Sequence, residues 1–221
     1  MGGHSPTRTR TYLGLNILNI PKTWHATSLS VQIARALTPE KPMTQPLPPR
    51  VLGLDLSLTC TGLAGADWTD TIKPPAKMRG TARMMFIRTT LLDRFLNGYD
   101  VVAVEGPSYG SQAGQAGHHE RAGLWWVIRC VLDARGHQVA VIPPASVKRY
   151  ATGKGNADKA AMMLAVARRF PWFDGGEDEA DALWLAAMAA DHLGHPMCDM
   201  PAANRKALDA VQWPELTLAA A

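Results

Sequence analysis

The sequence of 221 residues predicts an α/β domain with a mixed β-sheet of about five strands, the three leading ones antiparallel, and helices on both faces. Two short apolar runs, residues 100–104 and 138–142, are typical of strands that are covered on both sides. They alternate with helical stretches, and three strand-like segments come before them. This order favours a mixed sheet between two layers of helices.

The three leading segments predict a hairpin followed by an edge strand. Residues 51–56 form an apolar first strand, and residues 61–68, rich in small side chains, return beside it. Residues 69–77 follow as a third strand, which ends at Pro74 and Pro75 because proline cannot donate to a ladder. We therefore expect these three strands to be antiparallel.

The helices are predicted from apolar residues at a spacing of three and four and from signals at their ends. Residues 151–155 predict a tight loop, after which Asn156 is expected to cap a helix. Beyond Pro196 the periodicity is lost, and no element is predicted there. The predicted helices cover residues 81–97, 119–134, 145–150, 156–170 and 177–193.

Residues 1–49 differ in composition from the rest of the chain. They hold seven prolines, and with five basic side chains and one acidic side chain they carry the whole net charge of +4. This composition predicts a poorly ordered, basic and proline-rich N-terminal arm. The folded domain is expected at residues 50–194, followed by a C-terminal tail at residues 195–221.

Several classes of protein are disfavoured by the composition. Cys60, Cys130 and Cys198 share no CxxC spacing, which suits a reducing compartment and neither a disulfide framework nor a zinc knuckle. No apolar run reaches the roughly 18–20 residues of a membrane span. The N-terminal residues lack the continuous apolar segment of a signal peptide. We therefore expect a soluble, cytoplasmic protein.

Four carboxylates stand at positions that suit catalysis. Asp55 lies near the end of the first strand, Glu105 directly follows residues 100–104, and Asp178 and Asp181 lie three residues apart on one face of the last helix. Acids in a first helical turn also complement the helix dipole, and Asp55 alone could be a turn residue. Magnesium or manganese ions take oxygen ligands, and two ions about 3.5–4 Å apart can stabilise both reacting oxygens of a phosphodiester. The quartet therefore predicts a two-metal phosphodiester site.

A second feature is the basic and glycine-containing stretch at residues 148–159. It runs into a predicted helix, and backbone N–H groups at a helix start attract phosphate. It lacks the GxxxxGK[ST] pattern of a Walker loop. The alternative interpretation is a solvated basic loop in front of a helix.

Residues 51–193 resemble the RuvC family of Holliday junction resolvases, whose fold is ribonuclease H-like. Four motifs carry the resemblance in the family's order. The chain has Leu56-Ser57 where the family usually has Pro-Gly. The matching residues are Asp55 with Thr61-Gly62, then Glu105, then Thr152-Gly153, Gly155 and Ala157-Asp158-Lys159, and finally Asp178 and Asp181-Ala-Leu.

The resemblance implies a homodimer that nicks branched DNA, in particular four-way junctions, symmetrically in a bacterial or phage-infected cell. It implies two Mg²⁺ or Mn²⁺ ions in each active site and no nucleotide cofactor. The implied metal ligands are Asp55, Glu105, Asp178 and Asp181, and Lys148 and Lys159 are implied to act beside the scissile phosphate. Tyr109 follows the position at which the family carries an aromatic residue. The DNA-binding residues expected on this basis are Tyr109, Lys148, Arg149, Lys154 and Lys159.

The sequence is also compatible with three other functions. A nuclease for flaps or branched replication intermediates would use the same site, and an inactive junction-binding module would keep its residues without cleavage. The stretch from Gly53 to Gly62 also resembles the first phosphate loop of sugar kinases and actin-like ATPases. Those proteins need two related domains, which the length after residue 49 does not provide.

Overall fold

The computed structural model describes residues 48–107 and 117–215. Nearly all of the predicted arm, Tyr109 and the last six residues of the predicted tail lie outside this part of the chain. The strands form one five-stranded mixed sheet in the order β3-β2-β1-β4-β5, in which β1, β2 and β3 are antiparallel. Strands β1, β4 and β5 run parallel to one another. The strands are β1 (Val51–Asp55), β2 (Thr61–Ala64), β3 (Thr69–Ile72), β4 (Val101–Glu105) and β5 (Gln138–Ile142).

Six α-helices and one 3₁₀ helix are described. They are α1 (Gly80–Arg94), α2 (His118–Ala134), α3 (Pro144–Thr152), α4 (Lys159–Arg169), α5 (Glu177–His192), α6 (Ala202–Arg205) and the 3₁₀ helix Lys206–Ala210. The α/β class, the mixed sheet and the three antiparallel leading strands are confirmed. None of the helices in the described residues is both long enough and apolar enough to cross a membrane.

The sheet separates two apolar cores because successive side chains of a strand point to opposite faces. Leu52 and Leu54 of β1 pack with α1 and α2 on one face, and Val102 and Val104 of β4 do the same. Val51, Val101 and Ala103 pack on the opposite face with α3, α4 and α5. Helices therefore cover both faces, as predicted.

Helix α5 lies unusually close to β1. Its middle, residues 182–190, is buried and consists largely of alanine. A Cβ atom placed on Gly53 would lie only 2.0 Å from the carbonyl oxygen of Ala182. The backbones of helix and strand are thus in direct contact, which fixes the position of α5 along β1.

Two predicted boundaries around α3 and α4 were wrong. Asn156 does not cap α4; Asp158 does, because its Oδ1 accepts a hydrogen bond from the backbone nitrogen of Ala161 at 2.8 Å. The predicted loop at residues 151–155 begins only at Gly153. The Thr152 hydroxyl donates to the carbonyl oxygen of Lys148 at 2.8 Å, which supports the last turn of α3.

Residues 201–211, for which the sequence predicted no element, are folded against the domain. Ala207 and Val211 are buried in the core that also holds α3, α4 and α5. Asn204 is likewise buried. Short elements of this kind bury only one or two residues each, so they leave no periodic pattern to detect.

Replacing Gly53 with Ala should destabilise the protein, because the new methyl group would overlap backbone atoms that cannot move independently. Overpacking of this kind costs about 1–3 kcal/mol, and here we expect the upper end of that range or more. Urea unfolding monitored by circular dichroism would measure the loss. Gly123→Ala is the matched control, since its Cβ would meet only the flexible end of Met84 at 3.3 Å. Equal stability of the two variants would contradict the prediction.

Candidate active site

The register of the central strands brings Asp55 and Glu105 together. Strands β1 and β4 are parallel neighbours in which Leu54 pairs with Val104, so each acidic residue comes one position later at the same edge. Asp55 points to the same face as Gly53, and Glu105 points to that face too, because side chains alternate along a strand. That face is the one covered by α5.

The first turns of α5 add Asp178 and Asp181 to the same place. Gly62 pairs with Asp55 across the β1–β2 ladder, and a Cβ atom on Gly62 would lie 1.9 Å from the carbonyl oxygen of Asp178. The start of α5 therefore rests directly on β2 beside Asp55. All four predicted carboxylates come from elements that meet at this edge.

A different acid, Glu179, caps α5, which separates the capping role from the predicted site. Glu179 Oε2 accepts a hydrogen bond from the backbone nitrogen of Gly176 at 3.0 Å. Glu177 forms an ion pair with Lys159. Helix capping thus accounts for Glu179, and it does not account for Asp181, which lies further along the helix.

Asp55, Glu105 and Asp181 have raised pKa values because they are desolvated and lie near other carboxylates. Burial, and after it the charge of Glu105, raises the pKa of Asp55 to about 8. Burial and the charge of Asp181 raise the pKa of Glu105 to about 7. Burial is also the main cause that raises the pKa of Asp181 to about 6, and the charge of Asp178 adds to it. The four groups therefore form one electrostatically coupled cluster.

Lys148 and Lys159 flank this cluster. Lys148, on α3, opposes the rise in the pKa values of Glu105 and Asp181. Lys159 is the first residue of α4, and its Nζ donates to Glu177 Oε2 at 2.5 Å. This hydrogen bond is the main cause of the raised pKa of Lys159. Both lysines can place positive charge beside the carboxylates.

The chemistry of the donor set fits a hard divalent cation, because carboxylate oxygens are the ligands that Mg²⁺ prefers. Within residues 48–107 and 117–215, no three Asp, Glu, His or Cys side chains are already grouped to hold a metal ion. Like charges at one place hold each other apart unless a cation offsets them. A divalent ion held by these residues would supply that cation.

The remaining predicted DNA-binding residues have different positions. Arg149 and Lys154 are exposed, at the end of α3 and in the loop after it. Lys154 lines an open cavity of about 500 Å³ between α3 and α4, together with Arg168. Tyr109 lies outside the described residues, so its expected contact with DNA stays a prediction.

A cavity of about 160 Å³ beside Asp55 and Glu105 adds residues that no sequence motif had marked. His118, Arg121 and Trp125 line it from successive turns of α2. The Trp125 indole Nε1 donates to the backbone oxygen of Glu105 at 3.0 Å, which ties α2 to the end of β4. Their spacing of three and four residues marks one helix face. The sequence could not show that this face turns towards the carboxylates.

The turn after Asp55 is held by side chains. The Thr61 hydroxyl donates to the carbonyl oxygen of Ser57 at 2.8 Å and accepts from the Ser57 backbone nitrogen at 3.2 Å. The Ser57 hydroxyl also accepts from the backbone nitrogen of Thr59 at 3.3 Å. Leu56-Ser57 thus supports a closed turn at the position where the resemblance expects Pro-Gly.

Comparison with solved structures identifies the fold. Thermus thermophilus RuvC is similar with a TM-score of 0.50 and 20% sequence identity, over 69% of this chain and 99% of that chain. T. thermophilus RuvC in complex with Holliday junction substrate has a TM-score of 0.49 and 21% identity, over the same shares of the two chains. The sequence matches no protein-family model and no curated protein. The first likeness shows that the chain has a RuvC-like, ribonuclease H-like fold.

The stability of the metal-free protein should fall as the pH rises from about 4 to about 8. The unfolded chain releases the Asp55 proton near its ordinary pKa of 3.8, whereas the folded chain holds it until about pH 8. The unfolded state thus binds fewer protons in this interval, and the free energy of unfolding decreases with pH. Asp55→Asn should stabilise the metal-free protein at pH 8 by roughly 2–4 kcal/mol, a value discounted for coupling among the carboxylates.

Thermal unfolding with and without millimolar MgCl₂ or MnCl₂ would test the same cluster. We expect the cation to raise the melting temperature of the wild type at pH 8, because it binds only the folded state. Asp55→Asn should lose most of this rise. Asp93→Asn, which changes an exposed carboxylate on α1, should keep it. A cation effect of the same size in Asp55→Asn would show that the ion binds elsewhere.

Proposed function

We propose that this protein is a metal-dependent endodeoxyribonuclease that nicks branched DNA, with the four-way junction as its substrate. The observation that carries the proposal is the convergence of two strand-end carboxylates and two carboxylates of α5 on one face of the sheet. The RuvC-like fold supports the same proposal. One of the similar structures is described as RuvC in complex with Holliday junction substrate.

Asp55, Glu105, Asp178 and Asp181 are the proposed ligands of Mg²⁺ or Mn²⁺, with two ions in each site. When bound, such ions lower the pKa of water and offset negative charge on a phosphodiester. The site's own carboxylates must be ionised to hold them. Because the pKa values of Asp55, Glu105 and Asp181 lie between about 6 and 8, the cation competes with protons, and cleavage should become faster as the pH rises through this range.

Lys148 and Lys159 are proposed to face the scissile phosphate. A fixed ammonium group stabilises negative charge that develops on phosphate oxygens, and this effect is large where water is partly excluded. The ion pair with Glu177 holds the Lys159 ammonium at the start of α5. The two lysines also limit the mutual repulsion of the carboxylates when no DNA is present.

We further propose that two copies of the chain act together. A four-way junction has two strands of the same polarity to be cut, and a two-fold axis would place one site at each of them. Substrate choice would then depend on the shape of the junction more than on contacts with base edges.

A labelled, immobile four-way junction would test the proposed function. In MgCl₂ or MnCl₂ we expect paired symmetric nicks by the wild type and none in EDTA. Asp55→Asn and Asp181→Asn should each lower the rate by about 100-fold or more, since each removes a proposed metal ligand. Asp93→Asn should cleave like the wild type.

Parallel reactions with linear duplex and a 5′ flap would define the substrate. Faster cutting of the flap than of the junction would support the proposed nuclease activity and would show that the flap, not the four-way junction, is the preferred substrate. Binding of the junction without cleavage in any cation would contradict the enzymatic proposal and leave a junction-binding module.

A further inference from the structure

We infer that residues 201–211 position Lys148, through a network in which Tyr150 and Arg205 hold the buried carboxylate of Asp191 and so fix helix α3. The inference rests on the proposed function in one respect, namely that Lys148 acts on the substrate. The network lies at the opposite end of α5 from Asp178 and Asp181, and its three members are positioning residues.

Helix α3 needs outside support to keep its orientation. It has only nine residues, and helices this short are marginal in isolation. The last four carbonyl groups of a helix have no partner within it. One of these, the Tyr150 carbonyl, accepts a hydrogen bond from Asn204 Nδ2 at 2.7 Å. The segment at residues 201–211 therefore supplies a hydrogen-bond donor to an unpaired carbonyl group at the end of α3.

Asp191 joins three helices through one buried carboxylate. Its side chain is 0% exposed, and its Oδ2 accepts from the Tyr150 hydroxyl at 2.9 Å. Its Oδ1 lies 2.6 Å from Nη2 of Arg205, whose side chain is half exposed. A buried carboxylate is tolerated only when it is paired and hydrogen-bonded. Asp191 on α5 thus requires both α3 and α6 to stay in place.

The network connects α3, which carries Lys148, with α5, which carries Asp178 and Asp181. Asp191 follows Asp181 by ten residues, which is about 15 Å along the axis of α5. Lys148 precedes Tyr150 by two residues, about 200° around α3. Anchoring Tyr150 by its hydroxyl and its carbonyl therefore fixes the rotation of α3. That rotation determines whether Lys148 faces Glu105 and Asp181.

If the network of Tyr150, Asp191 and Arg205 only stabilised the fold, removing one of its members would lower the stability of the protein without a specific effect on Lys148. Tyr150→Phe separates the two roles, because it removes the hydroxyl and keeps the ring, which packs edge-on against Trp184 with centroids 6.1 Å apart. Arg205→Ala removes the cation, and Arg205→Lys restores a cation at a half-exposed position. The three variants thus remove the Tyr150 hydrogen bond, remove the Arg205 cation, and retain a cation at position 205, respectively.

The first measurement needs neither DNA nor metal. The side-chain ¹Hε–¹³Cε signals of the lysines would be recorded by NMR for each variant, with Lys148→Arg to assign the Lys148 signal. We expect this signal to move towards the position of an exposed lysine in Tyr150→Phe and Arg205→Ala, and to return in Arg205→Lys. The signal of Lys77, an exposed residue before α1, should stay unchanged and serve as the control.

The second measurement is junction cleavage by the same variants. If α3 is fixed by the network, kcat should fall about 5- to 20-fold in Tyr150→Phe while KM stays within about twofold, because an interaction made in the transition state is weakened. Arg205→Lys should recover most of the rate. Equal losses in Arg205→Lys and Arg205→Ala would overturn the inference.

The outcomes separate the inference from the proposed function. An unchanged Lys148 signal in all variants overturns the inference, whatever the enzyme cleaves. A wild type that cleaves no DNA overturns the proposed function, and the NMR comparison still decides whether the network positions Lys148. If Arg205→Ala does not fold, Tyr150→Phe alone decides, because its ring packing is retained.

Discussion

The contact between the backbone of α5 and two glycines of the sheet is the constraint on which the site depends. Gly53 and Gly62 face the helix without a side chain, and any Cβ there would overlap carbonyl oxygens of Ala182 and Asp178. The helix therefore cannot slide along the strands. Its first turn is held at the level of Asp55, so the carboxylates of two strands and one helix come together by packing alone.

This packing brings together charges that would otherwise separate. Desolvation and mutual repulsion raise the pKa values of Asp55, Glu105 and Asp181, so the site lowers the stability of the domain at neutral pH. The large apolar cores on both faces of the sheet offset that cost. Sites that hold like charges close together in this way are commonly functional, since stability alone would select against them.

Much of the fold was predictable because its central strands are short apolar runs with clear ends. The carboxylates were predictable too, since Asp55 and Glu105 close such runs and Asp181 interrupts an apolar helix. What the sequence could not show depends on contacts between distant segments. The cap of α4 lies at Asp158 because the preceding loop makes its own turn. The hydrogen bond between Tyr150 and Asp191 joins residues that are 41 positions apart. Residues 201–211 bury too few side chains to leave a pattern.

The turn between β1 and β2 has a consequence for how such sites are recognised. It is closed by hydroxyl groups of Ser57 and Thr61, and a Pro-Gly pair would close it by backbone geometry instead. Both solutions can leave the preceding aspartate at the sheet edge. A search pattern that requires Pro-Gly would pass over this chain, whereas one built on the spacing from Asp55 to Gly62 would retrieve it. In this chain the glycine paired with Asp55, and not the sequence of the turn, therefore marks the site.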